Sequence, residues 1–197
     1  ITNEIETLVH SGIEPKKIAV IYKENKYGEE LAEFLKCRSI LFYSKRNINL
    51  LDLPLIKKII RLFEYLDAEM DTAFSGDQML FEILHYDWFG VRPLEIAKLS
   101  IENTQRLYKK DVSGFRNIID IKMNSIAGSL FEKTISDELA STGKFIEQLI
   151  GMINNITLQQ LLERVIRDSG MLGVIMKSAD NHWQMQVLTA FFDFLKT

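Results

Sequence analysis

The chain has 197 residues, of which 47% are hydrophobic and 26% are charged, with a formal net charge of −3 and a pI of about 5.7. These values are typical of a globular chain of one or two domains, and the mild negative charge excludes general binding of nucleic acid through bulk charge. The single cysteine excludes a disulfide framework within the chain and favours a cytoplasmic location, and no apolar run reaches the roughly 18 residues of a membrane span.

The first third of the chain predicts alternating helices and strands. A first helix ends near Gly12, and the apolar run Ile18–Tyr22 then has the length and composition of a strand covered on both faces. A helix over residues 27–37, with Leu31, Phe34 and Leu35 inward, leads to a second strand over residues 40–44. This order predicts one parallel βαβ unit with a right-handed crossover.

From about Asn49 the apolar residues recur at helical spacing instead. Pro54 and Pro93 are placed to open helices, Thr157 to cap one, and Gly170 to end one. No strand is predicted after Asp67. The sequence therefore predicts mixed α/β structure over residues 1–67, a fragment with too few strands for a complete sheet, and an all-helical domain over residues 68–197.

Tyr22 and Lys23 lie at the end of the first predicted strand and are the first candidate site. The tyrosine ring could stack on a base and the lysine could reach a phosphate as a point charge. A strand end that exposes one aromatic and one charged residue has the same pattern, and local sequence alone favours that simpler interpretation. No GxxxxGKS/T loop and no acidic metal-binding pair follows a strand, so the chain contains at most half of a nucleotide site.

The segment DWFGVRPLEI places an aromatic–glycine turn before a helix and is the second candidate. Backbone N–H groups at such a turn, with Gly90 for close approach and Arg92 for charge, could contact a nucleic-acid phosphate. The alternative is a plain turn between helices, with Trp88 and Phe89 packed inside.

Other charged residues give weaker signals. Glu163 and Asp168 are badly spaced for paired acid–base chemistry, whereas Arg164 and Asp168 are spaced to pair across one helical turn. The histidines lie far apart in the sequence, so neither a metal site nor a catalytic triad is predicted. Two cationic clusters are interpreted as solvated helix faces in preference to a DNA-backbone patch: Lys57, Lys58 and Arg61, and Arg106, Lys109 and Lys110.

The order of these motifs resembles superfamily I DNA helicases of the UvrD/Rep/PcrA type. IAVIYKEN, with the helix and apolar run after it, resembles the start of the second RecA-like domain of that family, and VIRDSGMLGVI resembles a helix end late in the family's 2B subdomain. The resemblance covers nearly the whole chain, and LHYDWFGVRPLEIAKL is closer to the RecB/AddA-like helicase–nuclease branch. The resemblance implies a partial RecA-like subdomain 2A over residues 1–67 and a helical subdomain 2B over residues 68–197.

The same resemblance implies a function. Tyr22 would stack on the base of ATP and Lys23 would have the catalytic role of reaching the γ-phosphate, where the family usually has an arginine. Gly90 and Arg92 would contact DNA, although Arg92 replaces a glycine of the family's turn. In the intact parent enzyme, a separate RecA-like domain in cis, domain 1A, would help to hold ATP and Mg²⁺.

The implied partners are DNA at a junction of single strand and duplex and, in the helicase–nuclease branch, a nuclease domain or subunit. This chain alone is expected not to hydrolyse ATP and to bind no cofactor, because it has no phosphate loop. The alternative function is a helical protein-interaction module with no direct role for DNA or ATP. A small-molecule enzyme is disfavoured, because no set of His, Cys or carboxylate residues converges in the sequence.

Overall fold

The computed structural model describes residues 1–43, 49–109, 114–125 and 135–196. It divides into two units, Ile1–Ile48 and Asn49–Thr197. Over the described residues, no helix has both the length and the apolar character needed to cross a membrane.

The first unit contains two helices that pack against each other, α1 (Thr2–His10) and α2 (Asn25–Cys37), with a 3₁₀ turn at Pro15–Lys17. Ile5 and Leu35 are buried between them. Arg38, just after α2, donates hydrogen bonds to Asn3 Oδ1 at 2.6 Å and Glu6 Oε2 at 2.9 Å. These bonds fasten the end of α2 to the face of α1.

The predicted parallel βαβ unit is wrong. None of the described residues lies in a strand, and Ile21 and Leu41, from the two predicted strands, are 96% and 89% exposed. A strand requires a second strand to satisfy its backbone groups and neighbours to cover its faces, and the described residues provide neither. The chain is therefore all-helical where it is described, with neither α/β structure nor a partial RecA-like sheet; Ser44, the last residue of the second predicted strand, lies outside that part.

The inward face predicted for α2 is correct at one position and wrong at another. Leu35 is buried, Leu31 is half-buried, and Phe34 is 60% exposed. A two-helix unit offers only one narrow contact, so it covers a narrower stripe of α2 than a sheet would cover.

The second unit contains most of the apolar core. Its helices are α3 (Pro54–Asp71), α4 (Asp77–Leu84), α5 (Pro93–Tyr108), α6 (Phe115–Ser125), α7 (Asp137–Met152), α8 (Leu158–Asp168), α9 (Met171–Lys177) and α10 (Asn181–Phe194). Short 3₁₀ turns lie at Leu50–Asp52 and Ile153–Asn155.

Helix α3 lies at the centre of this second unit and contacts α4, α7 and α10. Its buried side chains include Ile56, Ile59, Leu62 and Leu66, all fully excluded from solvent. The predicted domain boundary after residue 67 falls inside α3, whereas the structure divides the chain between residues 48 and 49. The whole of α3 therefore belongs to the second unit.

The local helix signals correspond closely to the structure. Pro54 and Pro93 are the first residues of α3 and α5. Thr157 caps α8 through its side chain, which accepts a hydrogen bond from the backbone N–H of Gln160, and the Gln160 side chain completes a capping box. Gly170 ends α8 in a left-handed conformation, as expected for a glycine after a helix.

Candidate functional site

Tyr22 and Lys23 lie immediately before the N-terminus of α2, and both are exposed. The N-cap residue Glu24 is extended and makes no capping hydrogen bond with its side chain, and the first turn of α2 contains no acidic residue. The first turn of α2 thus holds no carboxylate of its own, and the one at this helix end belongs to the N-cap residue Glu24, which does not cap the backbone.

These groups provide three components of a nucleotide contact. Tyr22 offers an aromatic face, Lys23 offers a mobile cation, and the first turn of α2 offers backbone N–H groups beside them. Among the described residues, no group of three or more His, Cys, Asp or Glu side chains is arranged to hold a metal ion. This helix end provides an aromatic ring, a cation and backbone N–H groups, with no carboxylate cluster for Mg²⁺ among the described residues.

The segment from Trp88 to Arg92 forms a tight turn between α4 and α5. Trp88, Phe89 and Val91 are buried, which confirms the packed-turn alternative for this segment. Gly90 has a φ of +66°, a left-handed conformation that favours glycine, so the turn geometry explains this residue without a ligand. Arg92 is exposed at the N-cap of α5 and forms no ion pair with any residue that the structure describes.

Arg92 lines an open cleft of about 550 Å³ between the N-terminal ends of α5 and α7. The cleft has a mixed charge, with the cations Arg92, Lys98 and Lys122 facing the carboxylates Glu95, Glu102, Asp137 and Glu138. Several of these groups are already engaged: Lys122 pairs with Glu102 at 2.8 Å, and Glu95 accepts hydrogen bonds from Ser136. The cleft is therefore not an anion pocket.

The turn at Trp88 lies against the end of α8. A β-carbon built on Gly170, whose φ is +88°, would lie 2.7 Å from the carbonyl oxygen of Trp88. The segments DWFGV and VIRDSG, which are about 80 residues apart in the sequence, therefore meet in the second unit.

The first cationic cluster is neutralised by acidic neighbours. Its three members each contact a carboxylate: Lys57 with Asp52 at 3.2 Å, Lys58 with Asp87 at 3.3 Å, and Arg61 with Glu82 at 2.7 Å and Glu64 at 3.1 Å. The hydrogen bond from Arg61 lowers the pKa of Glu82. In the second cluster Arg106 pairs with Glu102 at 2.9 Å, while Lys110 lies outside the described residues. Where the structure describes these pairs, the helix surface is ion-paired and does not present a bare cationic face.

The predicted pairing at the end of α8 is confirmed. Arg164 Nη1 lies 3.2 Å from Asp168 Oδ2, and Arg167 also donates to Asp168. Hydrogen bonds from Arg167 and then Arg164 lower the pKa of the Asp168 carboxyl. This acid is engaged in ion pairs at a helix end, which fits a structural role.

A buried polar network in the second unit was not predicted from the sequence. Arg116 on α6 donates to Glu69 on α3 at 2.6 Å, and to both carboxylate oxygens of Glu147 on α7 at 2.5 and 2.8 Å. Glu69 also accepts the backbone N–H groups of Phe74 and Gly76. Arg116 is 47 residues from one partner and 31 from the other, so no local pattern could have indicated the network.

Asp77 forms a second link between helices. Its carboxylate accepts the backbone N–H of Phe115 at 2.8 Å and the side-chain N–H of Asn103 at 3.1 Å. Burial raises the pKa of Asp77, although both hydrogen bonds act in the opposite direction. The residue thus connects α4 to α5 and α6.

Compared with protein-family models, with curated proteins and with solved structures, the chain matches none. Its function must therefore be inferred from its own residues.

Proposed function

We propose that this chain is part of an ATP-dependent DNA helicase of DNA repair or recombination. In this proposal Tyr22 and Lys23 form one wall of the ATP cleft, and residues 49–197 form a helical subdomain that contacts DNA or regulates the contact. The observation that carries the proposal is the exposed Tyr22–Lys23 pair beside the uncapped N-terminus of α2.

The chemistry of this pair suits a nucleoside triphosphate. An aromatic ring contributes about 1–3 kcal/mol when a base stacks on it, and a lysine reaches phosphate oxygens as a point charge. Lys23 cannot form the planar, two-pronged contact of an arginine, so it would stabilise the developing charge less specifically. The phosphate loop and the Mg²⁺-binding acids would come from another domain of the same enzyme, and this chain alone would not turn over ATP. In contrast to the sequence-based expectation of no bound cofactor, the chain would still contact ATP weakly through Tyr22 and Lys23.

The second unit suits the role of a helical subdomain. It has its own apolar core, centred on α3, as a separate subdomain requires. Arg92 is the cation that we assign to a DNA phosphate: like Lys98 of α5, it is exposed and forms no ion pair within the described residues.

Photolabelling with 8-azido-ATP tests the nucleotide contact on this chain. We expect the label to concentrate on the peptide that contains Tyr22, to be displaced by excess ATP, and to be lost in Tyr22→Ala. In Lys23→Ala, ATP should displace the label no better than adenosine does, because the phosphates have lost their cation. Peptide mass spectrometry provides the readout.

Tyr43→Ala is the matched control, because Tyr43 is a more exposed tyrosine in the same unit. This variant should be labelled like the unchanged chain. Labelling spread over the exposed tyrosines, with no displacement by ATP, would overturn the proposed nucleotide contact.

A helical protein-interaction module is the second candidate. Two observations favour it: the cations at Lys57, Lys58 and Arg61 are paired with acids, and several apolar side chains on α9 and α10 are exposed, namely Leu172, Met176, Trp183 and Phe194. Such a module has no need for DNA, so DNA binding separates the two candidates.

A further inference from the structure

We infer that Gly28 is a positioning residue for Tyr22: its missing side chain gives the tyrosine ring a place across the first turns of α2. The purpose of that placement, presenting the ring to the base of a nucleotide, rests on the function proposed above.

The contact between the two residues is direct. A β-carbon built on Gly28 would lie 2.3 Å from Cζ of Tyr22, 2.6 Å from Cε2 and 2.6 Å from the hydroxyl oxygen. These separations are far below van der Waals contact, so the ring occupies the space that a side chain at position 28 would fill. Any other residue there must displace the ring.

The backbone gives no other reason for a glycine at this position. Gly28 lies inside α2, where glycine is less favourable than alanine. Its φ is not among the positive values that Gly12, Gly90 and Gly170 adopt. The contact with the Tyr22 ring is therefore the feature of the structure that accounts for glycine at position 28.

The packing places part of the ring against the helix and leaves the rest accessible. Tyr22 remains 36% exposed although part of its ring lies against the helix. A ring held in one orientation loses less conformational freedom when a base stacks on it than a freely rotating ring does. Lys23, the next residue, is exposed at the same helix end, so the base and phosphate contacts would be set side by side.

The test is Gly28→Ala, followed by NMR of the whole chain and titration with ATP. In the unchanged chain we expect Overhauser contacts between the Tyr22 ring and the α-protons of Gly28, and a shift of the Tyr22 ring resonances as ATP is added. In Gly28→Ala these contacts should vanish, and ATP should bind about three- to tenfold more weakly, the range expected when one further side chain must be immobilised. The helix itself should be retained or strengthened, because alanine favours it.

Gly173→Ala is the matched control, because Gly173 also lies in a helix but a β-carbon there would meet nothing within 4 Å. It should leave the Tyr22 resonances and ATP binding unchanged. Absence of Tyr22–Gly28 contacts, or unaltered ATP binding in Gly28→Ala, would overturn the inference. If the contacts are present and are lost in Gly28→Ala, but ATP shifts nothing in either chain, the positioning stands and the proposed function fails.

Discussion

Replacing Arg116 with methionine should lower the free energy of unfolding of the second unit by about 3–5 kcal/mol, the range for breaking a buried ion pair on one side. The Glu69 side chain is only 1% exposed, and Arg116 is its cationic partner at 2.6 Å. Methionine fills much of the same volume but leaves that carboxylate buried with only the two backbone N–H groups of Phe74 and Gly76 as partners. The cost arises from the uncompensated charge and not from a cavity.

Urea denaturation followed by tryptophan fluorescence measures this effect. Trp88 and Trp183 are the only tryptophans of the chain and both belong to the second unit, so their fluorescence reports the unfolding of that unit. Arg61→Met is the matched control, because Arg61 also pairs with two glutamates but at the surface, where such pairs contribute about 1 kcal/mol or less. Equal, small losses in the two variants would contradict the structural role assigned to Arg116.

Gly170→Ala should destabilise the same unit by about 2–4 kcal/mol, from a left-handed backbone at alanine together with an overpacked contact. The left-handed conformation of Gly170 alone costs an alanine about 1–2 kcal/mol. The added β-carbon would also lie 2.7 Å from the carbonyl oxygen of Trp88, a backbone atom that cannot move without shifting the turn before α5. The same denaturation experiment measures the loss.

Gly173→Ala, three residues further on, separates this effect from the general consequence of adding a methyl group. A β-carbon at position 173 meets open space, so alanine should be neutral or should stabilise α9 by up to about 1 kcal/mol. If Gly170→Ala proved as harmless as Gly173→Ala, the close approach between α8 and the Trp88 turn would be refuted.

Local sequence signals predicted the helix ends well because the physics of those ends is local. Pro54 and Pro93 fix backbone angles that suit a first turn, and Thr157 satisfies a backbone N–H three residues away. Each signal depends only on its near neighbours, so the rest of the chain cannot easily override it.

The predicted strands failed for a non-local reason. A short apolar run such as Ile18–Tyr22 has strand composition, yet a strand exists only if another strand pairs with it, and composition does not reveal that. The position of the domain boundary also depends on non-local contacts. Helix α3 belongs to the second unit because α4, α7 and α10 of that unit contact it.

The candidate sites divide in the same way. The position of Arg92 just before a helix agrees with the helix start predicted from Pro93, whereas Tyr22 and Lys23 lie before α2 and not at the end of the strand that the sequence predicts. The support of Tyr22 by Gly28 depends on a ring folding back over a helix, and the Arg116 network joins residues dozens of positions apart. Neither arrangement leaves a pattern that can be recognised in the sequence.

The role in a DNA helicase is tested most directly by the binding of forked DNA to this chain, measured by fluorescence anisotropy as the salt concentration rises. We predict binding at about 50 mM salt that weakens steeply by about 200 mM, because each phosphate contact releases counterions. Arg92→Ala should weaken binding and reduce the salt dependence, whereas Lys57→Ala should change neither, because Lys57 is already paired with Asp52. Absence of binding at low salt would contradict the helicase role and favour a protein-interaction module.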